Sequence, residues 1–441
     1  MAYDVVADAR AARAAARVLA NATAEKKNAV LSRMARALES AWPELARANA
    51  LDVSEAEAAA ATGALKGSLV DRLRLSEDKL RQMVTSVREV EALPDPVGQV
   101  RLHRLLDDGL ELKKVTFPFG VVAAIVEARP DAVVQLAALA MKSGNALMIK
   151  AGVEATRTSQ CVVDVMARAI AEEGIPAAAL TFVKGRDAAQ QLLRMDKWID
   201  LVVPRGGADL VRYVMQNSTI PVLGHADGVC HIFVDRNADQ EMALEVVLDS
   251  KVQAPSVCNA VETVLVDEAI AGEFLSRLVC HLKPAGVKLL GCRRSVELTK
   301  GEIVEIAADA WHTEYGDLTL AIRVVTGLEE AIEHIESFGS RHTDCIVTRD
   351  QQTAERFLNS VDSANVFHNV STRFSDGFRY GFGAEVGIST GKLHARGPVG
   401  LDGLVTYRYK LSGRGQVVRD YVGKNAKPFK HVRMPEGESA G

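Results

Sequence analysis

Cys258 is the residue of this sequence best suited to nucleophilic chemistry. It lies in SVCNA (256–260), between a polar loop and the apolar run at 261–266. A reactive thiol needs partial exposure and nearby donors that favour the thiolate, and Ser256 and Asn259 lie close to this one in the sequence. Cys258 is therefore our best candidate for the nucleophile of a covalent mechanism, and a small packing cysteine is the alternative.

The other five cysteines are weaker candidates. Cys292 precedes Arg293 and Arg294, whose charges favour a thiolate, and it remains the alternative nucleophile. The remaining four lie on predicted helices or strands, where a cysteine is usually a small packing residue: Cys161, Cys230, Cys280 and Cys345. Because no CxxC pair occurs, the pattern indicates reduced thiols rather than a disulfide framework or a zinc site.

The sequence also contains two candidate sites for a nucleotide phosphate. Gly206 and Gly207 join an apolar strand to a helix, whose first backbone amides can bind phosphate; a plain turn is the alternative. Lys150 ends the apolar run ALMIK and places a cation at the carboxyl edge of a predicted sheet, where ligands of open α/β sheets bind; a solvated lysine is the alternative. Neither GxxxxGKS/T nor GxGxxG occurs, which argues against an ATPase loop and a standard dinucleotide fingerprint.

The segment at 369–400 is rich in Gly, Ser, Thr and Arg and has little apolar periodicity. A loop this long in a compact protein is usually functional. Its Arg373 and Arg396 are candidates for binding a carboxylate or phosphate through two hydrogen bonds, and a structural role for each is the alternative. The ten histidines show neither HxxxH nor HExxH spacing, so we predict no metal site.

Two α/β domains are needed to position these residues. Short apolar runs alternate with helical segments from 118 to 225, and again from 231 to 368. Such runs are typical of strands buried on both faces of a parallel sheet, so we predict two doubly wound α/β domains. Before them, residues 1–92 carry apolar side chains at steps of three and four, which predicts amphipathic helices.

Two strand-like segments stand outside this alternation. Apolar and polar residues alternate at 98–116, as in a hairpin, and again at 404–423 near the end of the chain. We interpret these segments as one small sheet that protrudes and mediates oligomerisation; an edge hairpin of the main body is the alternative. Residues 424–441 carry few apolar anchors, and we predict a disordered tail there.

The composition argues against several function classes. The 441 residues include 53 Lys and Arg against 57 Asp and Glu, and the resulting net charge of −4 argues against a nucleic-acid partner. The longest apolar runs fall far short of the roughly 20 residues that cross a bilayer, and Asp4, Asp8 and Arg10 interrupt any signal core. We therefore expect a cytoplasmic protein that does not enter membranes.

Four regions of the chain resemble the gamma-glutamyl phosphate reductases, also called glutamate-5-semialdehyde dehydrogenases, of the aldehyde dehydrogenase superfamily. They contain VEARPDAVVQ, VVPRGGADL with PVLGHADGVCHIFVD, KVQAPSVCNAVETVLV, and GAEVGIST with KLHARGP. The regions lie in the same order as in that family, and the likeness covers about residues 5 to 420. This combination of motifs in one order is specific to the family.

The resemblance implies a fold with a cofactor domain, a catalytic domain and a discontinuous oligomerisation sheet. The cofactor domain is expected at 1–97 and 117–229, the catalytic domain at 230–403, and the sheet at 98–116 and 404–423. The implied reaction is the NADPH-dependent reduction of L-glutamyl 5-phosphate to L-glutamate 5-semialdehyde and phosphate, the second step of proline biosynthesis. The implied partners are further copies of the chain, in a homo-oligomer, and the upstream glutamate 5-kinase.

The resemblance also implies roles for single residues. Cys258 resembles the nucleophile that forms a thioester, and Lys150 is similar to the residue that meets the adenosine ribose or its 2'-phosphate. Gly206 and Gly207 resemble the helix start beside the pyrophosphate. Glu314 resembles the region that meets the nicotinamide ribose. The stretch PVLGHADGV lacks the glutamate base that hydrolytic relatives use to activate water, which fits a reductive enzyme.

Two rival interpretations stay open. One is another enzyme of the aldehyde dehydrogenase type, which acts on a different acyl phosphate or an acyl-CoA, or oxidises an aldehyde to an acid. The other is a scaffold that keeps the fold without turnover or binds a kinase. The intact SVCNA loop argues against the scaffold. A requirement for phosphate in the assay would separate the two kinds of enzyme.

Overall fold

The chain divides into two units that each form their own sheets and core. The computed structural model describes residues 3–65, 67–185, 187–307 and 309–435. The first unit contains Met1–Leu223, Phe382–Gly387 and Val399–Gly441. The second contains Gly224–Gly381 and Ile388–Pro398. The second unit therefore begins at Gly224, a few residues before the boundary expected at 229. Two segments from the C-terminal part of the chain, Phe382–Gly387 and Val399–Gly441, belong to the first unit.

Helices and strands alternate along most of the described chain. The helices are α1 (Val5–Leu19), α2 (Ala24–Ser40), α3 (Trp42–Ala61), α4 (Gly67–Leu73), α5 (Glu77–Ala92), α6 (Pro130–Lys142), α7 (Thr156–Glu172), α8 (Asp187–Leu192), α9 (Ala208–Asn217), α10 (Gln240–Val252), α11 (Glu268–Leu282), α12 (Arg293–Leu298), α13 (Leu328–Phe338) and α14 (Gln351–Ser360). The strands are β1 (Val100–Asp107), β2 (Leu110–Pro118), β3 (Val121–Val126), β4 (Ala146–Ala151), β5 (Leu180–Phe182), β6 (Leu201–Arg205), β7 (Cys230–Val234), β8 (Val261–Asp267), β9 (Lys288–Gly291), β10 (Val304–Glu305), β11 (Thr319–Val325), β12 (Thr343–Val347), β13 (Asn365–His368), β14 (Gly387–Ser389), β15 (Gly397–Val399), β16 (Val405–Ser412) and β17 (Val432–Arg433).

The N-terminal helices bury one face each, as their apolar spacing predicts. Helix α2 buries Leu31, Met34 and Leu38, and α5 buries Leu80 and Val87. These residues recur at steps of three and four, so they fall on one stripe of each helix and pack together. The prediction of amphipathic helices is confirmed. No helix in the described part of the chain is long and apolar enough to cross a membrane.

The first unit contains a four-stranded parallel sheet in the order β5-β4-β3-β6. Every residue of β3 is buried, as expected for a strand that helices cover on both faces. Lys150 lies near the carboxyl end of β4, and Arg205 ends β6 just before Gly206. The candidate phosphate-binding residues therefore lie at the carboxyl ends of two strands of one sheet.

A second sheet is antiparallel and has the strand order β16-β2-β1-β17. It joins the hairpin β1–β2 to two strands near the C-terminal end of the chain. Strand β16 pairs with β2 along its length, for example at Tyr407 with Thr116 and at Leu411 with Leu112. The predicted pairing of the two distant strand segments is thus confirmed.

The end of the chain differs from the disordered tail expected at 424–441. Strand β17 pairs with β1, and Phe429 stacks between the rings of Tyr421 and His431. Backbone pairing to an open sheet edge supplies the order that the few apolar side chains do not. Residues 436–441 lie outside the described part of the chain.

The second unit is built on a seven-stranded parallel sheet in the order β10-β9-β11-β8-β7-β12-β13. Its central strands are buried on both faces, because neighbouring residues such as Val264 and Leu265 belong to two different hydrophobic clusters. The predicted α/β class with parallel sheets is confirmed. Since all seven strands point the same way, the segments that precede them meet at the amino edge of the sheet.

Candidate active site

Cys258 lies in the connection between α10 and β8, at the amino edge of the sheet. Helix α10 begins at a capping residue, Asp239, whose carboxylate accepts hydrogen bonds from the amides of Glu241 and Met242. The helix ends at Val252, shortly before Pro255, because the residue that precedes a proline disfavours helical backbone. The connection leaves the Cys258 side chain half-buried, as a reactive thiol requires.

A buried ion pair joins the helix and the strand at the two ends of this connection. Lys251 Nζ lies 2.7 Å from Glu262 Oε2, and both side chains are excluded from solvent. Burial raises the pKa of the Glu262 carboxyl to about 7, against the opposing effect of Lys251. The other carboxylate oxygen accepts a hydrogen bond from the Gly316 amide at 3.2 Å. Glu314, the predicted cofactor-binding residue, is two residues from Gly316. The hydrogen bond to Glu262 therefore also fixes the segment that contains Glu314.

Two hydrogen bonds join the connection to the segment after β13. Asn259 Nδ2 donates to the carbonyl oxygen of Ser375 at 2.6 Å, so this residue, proposed from sequence as a donor beside the thiol, anchors the loop. Arg373 Nε donates to Gln253 Oε1 at 2.8 Å. Burial lowers the pKa of Arg373, and Cys258 is among the groups whose charge acts on it. Through Gln253, Arg373 therefore contacts the connection that carries the predicted nucleophile.

Two histidines that the sequence analysis missed lie beside Cys258. His225 precedes β7 and His342 precedes β12, just as Cys258 precedes β8. Because these three strands are neighbours, one imidazole nitrogen from each histidine and the Cys258 sulfur lie within 4.8 Å of one another. The position of each histidine before an apolar run was visible in the sequence, but the order of the strands was not.

Gly228 and Cys230 pack against the backbone of Cys258. A Cβ atom at Gly228 would lie 2.2 Å from the Cys258 carbonyl oxygen and 2.7 Å from its Cβ, so only glycine allows this approach. The Cys230 thiol donates to the same carbonyl oxygen at 3.3 Å. Burial holds the pKa of Cys230 well above its usual range, which keeps this sulfur an inert thiol.

The remaining cysteines divide between core and surface. Cys161 and Cys345 are buried, as predicted for packing residues. Cys280 was also predicted to pack, but it is exposed, because it lies on the solvent face of α11. The alternative nucleophile Cys292 is half-buried at the start of α12 and accepts a hydrogen bond from the Val324 amide.

Arg396 binds Asp362 rather than the Cys258 connection. Its two terminal nitrogens donate at 2.8 Å to the side chain and to the carbonyl oxygen of Asp362. Lys392 also lies 2.7 Å from this carboxylate, and hydrogen bonds from the two cations lower the pKa of Asp362 to about 2. The role of Arg396 as a substrate ligand stays a prediction.

In the first unit, Lys150 borders a pocket of about 290 Å³. Its Nζ donates to the carbonyl oxygen of Ala151. The pocket combines cationic and apolar side chains: Lys150, Thr156, Arg157, Gln160, Phe182, Val183, Lys184 and Gly185. Arg157 is held by ion pairs with Asp52 and Glu55. A concave site with cations beside an apolar wall can hold an anionic group attached to a ring system.

Gly206 and Gly207 lead into α9, where Glu127 takes the position of an anion. A Cβ at Gly206 would lie 2.4 Å from Glu127 Oε2, so a side chain there would displace the Glu127 carboxylate. The Gly207 amide donates to the same oxygen at 2.8 Å. Glu127, which the sequence analysis did not single out, therefore accepts the hydrogen bond of the amide that precedes α9. Phosphate binding at this turn stays a prediction.

Comparisons with known proteins agree with this architecture. Residues 2–288 match the model of the aldehyde dehydrogenase family. A gamma-glutamyl phosphate reductase of Pelotomaculum thermopropionicum is 49% identical and covers 97% of this chain and 96% of its own length. That of Trichormus variabilis is 48% identical, with 96% of each chain covered. The crystal structure of the Thermotoga maritima gamma-glutamyl phosphate reductase superposes with a TM-score of 0.91 at 39% identity, covering 94% of this chain and 100% of that one.

Proposed function

Because the chain belongs to the aldehyde dehydrogenase family and, within it, to the gamma-glutamyl phosphate reductases, we propose that it reduces L-glutamyl 5-phosphate through a thioester on Cys258. The products are L-glutamate 5-semialdehyde and phosphate, and NADPH is the reductant. This reaction is the second step of proline biosynthesis from glutamate. The observation that carries the proposal is a half-buried thiol on a connection anchored by buried contacts, in a chain that covers almost the whole length of its reductase relatives.

The first half of the reaction uses the Cys258 thiolate. It attacks the 5-carbonyl carbon of the acyl phosphate, a C–S bond forms, and the C–O bond to phosphate breaks with the electron pair leaving on phosphate. The backbone amide of Cys258 is the donor that we assign to the developing oxyanion. Arg373 is buried and donates a hydrogen bond to Gln253 of the same connection, and we assign it to the negative charge of the phosphate or the α-carboxylate.

The second half returns the thiolate. When bound, NADPH supplies a hydride to the thioester carbon. The Cys258 thiohemiacetal then collapses, its C–S bond breaks, and the aldehyde leaves. Glu314 is assigned to the nicotinamide ribose, and its segment is tied to Glu262 through the Gly316 amide. The cationic and apolar lining of the Lys150 pocket fits the adenosine end, and Gly206 and Gly207 are assigned to the pyrophosphate.

Assembly is the second part of the proposal. Strand β16 leaves Tyr407, Tyr409 and Leu411 exposed at the antiparallel sheet, and contiguous exposed apolar side chains are a feature of protein interfaces. We assign this strand to contacts between copies of the chain in a homo-oligomer. A complex with glutamate 5-kinase would shorten the path of an acyl phosphate, which water hydrolyses readily.

The test is the reverse reaction, in which glutamate 5-semialdehyde reduces NADP⁺. We expect NADPH formation only when phosphate or arsenate is present, because water is not activated to release the thioester. Cys258→Ser should lower kcat by about 10³-fold or more. Cys280→Ser, which changes an exposed thiol of the same unit, should leave kcat unchanged.

Two results would contradict the proposal. The first is turnover in the absence of phosphate and arsenate, which would indicate an aldehyde oxidation that ends in hydrolysis. The second is a Cys258→Ser variant with the kcat of the wild type, which would remove the thioester. Mass spectrometry of the wild type mixed with aldehyde and NADP⁺, without phosphate, should reveal one glutamyl group on the peptide that contains Cys258.

A further inference from the structure

Cys258, His225 and His342 present three potential metal-binding atoms, two nitrogens and one sulfur, at one point of the amino edge. One nitrogen of each histidine and the Cys258 sulfur lie within 4.8 Å of one another. The two imidazole rings pack edge to face, with centroids 4.8 Å apart. Histidine nitrogen and cysteine sulfur are both donor atoms that zinc binds, and zinc sites with three protein ligands keep a fourth position open for another ligand.

The hydrogen bond of His225 fixes the tautomer that a metal ligand needs. Its Nδ1 lies 2.8 Å from the carbonyl oxygen of Ile388, which can only accept, so Nδ1 carries the proton. The lone pair of the neutral ring is then on Nε2. Histidines that bind metals almost always donate their other N–H to a carboxylate, a backbone carbonyl or water, and His225 has this arrangement.

His342 contributes a buried nitrogen that lacks a partner. Its side chain is fully buried, and its Nε2 makes no hydrogen bond to any described residue. Its Nδ1 lies 2.8 Å from Thr343 Oγ1, a contact that permits Nδ1 to donate. A buried polar atom without a partner is rare in folded proteins and calls for a ligand or a specific role. Coordination through Nε2 would satisfy this atom.

We propose that Cys258 Sγ, His225 Nε2 and His342 Nε2 bind a borderline-soft divalent cation of the Zn²⁺ class. Zinc bonds of about 2.3 Å to sulfur and about 2.0 Å to nitrogen place tetrahedral ligand atoms about 3.3 to 3.6 Å apart. Because the three atoms lie within 4.8 Å of one another, the cluster needs to contract by at most about 1.5 Å, through rotations of the ligand side chains. Ca²⁺ and Mg²⁺ prefer oxygen ligands and are excluded.

Charges of both signs lie in the region of Arg373. Arg373 and Arg379 oppose a cation there, whereas the carboxylates of Asp376 and Asp249 favour one. The thiolate itself carries the charge that a divalent ion neutralises, since binding displaces the thiol proton. A bound ion occupies the sulfur lone pair that the nucleophile uses, so metal binding and acylation exclude each other. This inhibitory consequence rests on the proposed function, whereas metal binding itself does not.

The experiment titrates the metal-free, reduced, full-length protein with Co²⁺, whose spectrum reports thiolate ligation and tetrahedral geometry. We expect a sulfur-to-cobalt charge-transfer band and intense visible bands that saturate at one Co²⁺ per chain and disappear on addition of Zn²⁺. Cys258→Ala should abolish the charge-transfer band. His225→Gln and His342→Gln should each weaken Co²⁺ binding by about 100-fold, at least the loss caused by removing an outer-shell partner. Cys280→Ser removes an exposed thiol beside His281 and should not change the spectrum.

A second measurement connects binding with reactivity. Zn²⁺ should slow the alkylation of Cys258 by iodoacetamide in the wild type, and this protection should be lost in both histidine variants. Reductase activity should fall with the same Zn²⁺ dependence and recover with a chelator. A charge-transfer band that survives in Cys258→Ala would overturn the site. Zinc protection that is equal in the wild type and both histidine variants would show binding by the thiol alone and would also overturn it. If Co²⁺ binds as expected but Cys258→Ser keeps full reductase activity, the metal site stands and the proposed nucleophile fails.

Discussion

The connection that carries Cys258 in the second unit and the strand edge that carries Lys150 in the first unit are built in opposite ways. Around Cys258, buried side chains fix the chain: the Lys251–Glu262 pair and Asn259. Around Lys150, the pocket is lined mainly by long side chains, and Arg157, which is exposed, is held by ion pairs.

The difference matches what each region is proposed to do. A nucleophile must keep its position to within a fraction of an ångström, because misplacement by about 1 Å costs roughly 100-fold in rate. A dissociable cofactor must enter and leave in every turnover, so its pocket needs complementary charge and space more than rigidity. We therefore expect changes near Cys258 to act on stability and kcat, and changes near Lys150 to act mainly on KM for the cofactor.

Lys251→Met should have the largest effect, because it leaves Glu262 buried without its cation. Breaking a buried ion pair costs about 3 to 5 kcal/mol, and we expect the free energy of unfolding of the second unit to fall by about this amount. Trp311 lies in this unit, whereas Trp42 and Trp198 lie in the first. Urea unfolding followed by Trp311 fluorescence, with the other two tryptophans replaced by Phe, isolates the measurement.

The matched control is an ion pair at the surface of the same unit. Arg293 and Glu297 form an exposed pair one turn apart on α12, and such pairs contribute below about 1 kcal/mol. Arg293→Met should therefore change the unfolding midpoint little. If Lys251→Met and Arg293→Met destabilise the protein equally, the buried pair is not what holds the Cys258 connection.

Gly228→Ala should have the next largest effect, and it should fall on catalysis. The added methyl group would meet the backbone and Cβ of Cys258, so the connection has to move. We expect kcat to fall about 100-fold, in line with a displacement near 1 Å. Gly272→Ala adds the same group on α11, where it would meet no described atom outside its own helix within 4 Å, and should keep the wild-type kcat. A Gly228→Ala enzyme with unchanged kcat would show that the connection is less rigid than its contacts indicate.

The same contrast explains which features could be predicted from the sequence. Cys258 was found because its signal is local: a polar loop with a proline, a thiol, and an apolar strand in one short segment. His342 was missed because it lies near Cys258 only through the strand order β8-β7-β12, which no short window of sequence encodes. The Lys251–Glu262 pair was missed for a related reason, since neither residue is unusual until both are buried.

Other mismatches come from faces and edges. Cys280 lies in an amphipathic helix, and one residue of error in the assignment of the buried face places it outside instead of inside. The strand at Val432–Arg433 depends on the open edge of β1, far away in the sequence. By contrast, the alternation of buried strands and helices predicted both parallel sheets, because burial on both faces leaves continuous apolar runs.

The pH dependence of stability should be smaller than the effect of losing Lys251. Burial raises the pKa of Glu262 from its ordinary value of 4.5 to about 7 in the folded protein. The folded state therefore holds this proton more tightly than the unfolded state, and the stabilisation is complete below pH 4.5 and lost as the pH rises through about 7. We expect the wild type to lose about 2 kcal/mol relative to Glu262→Gln between pH 5 and pH 8.

The comparison with Glu262→Gln is needed because many other groups titrate in this range. Unfolding of both proteins by urea at pH 5 and pH 8, followed by Trp311 fluorescence, gives the difference directly. Glu297→Gln, at the exposed pair on α12, serves as the control and should show no such change between the two pH values. A gap between wild type and Glu262→Gln that widens in favour of the wild type at high pH would mean that Glu262 is ionised with a lowered pKa.

Lys150→Ala should have the smallest effect and should separate the two regions most clearly. Losing one charge-assisted hydrogen bond of about 1.5 kcal/mol raises KM for NADP⁺ about tenfold, while kcat and the unfolding midpoint change little. The measurement is steady-state kinetics at saturating aldehyde and phosphate with NADP⁺ and NAD⁺ varied in turn. If Lys150 meets the 2'-phosphate, only KM for NADP⁺ rises; if it meets the ribose, both rise. Lys197→Ala, an exposed lysine of the same unit whose ammonium lies against Trp198, should leave both constants unchanged. A fall in kcat with constant KM would place Lys150 among the residues that position the reacting atoms and would remove the contrast between the two regions.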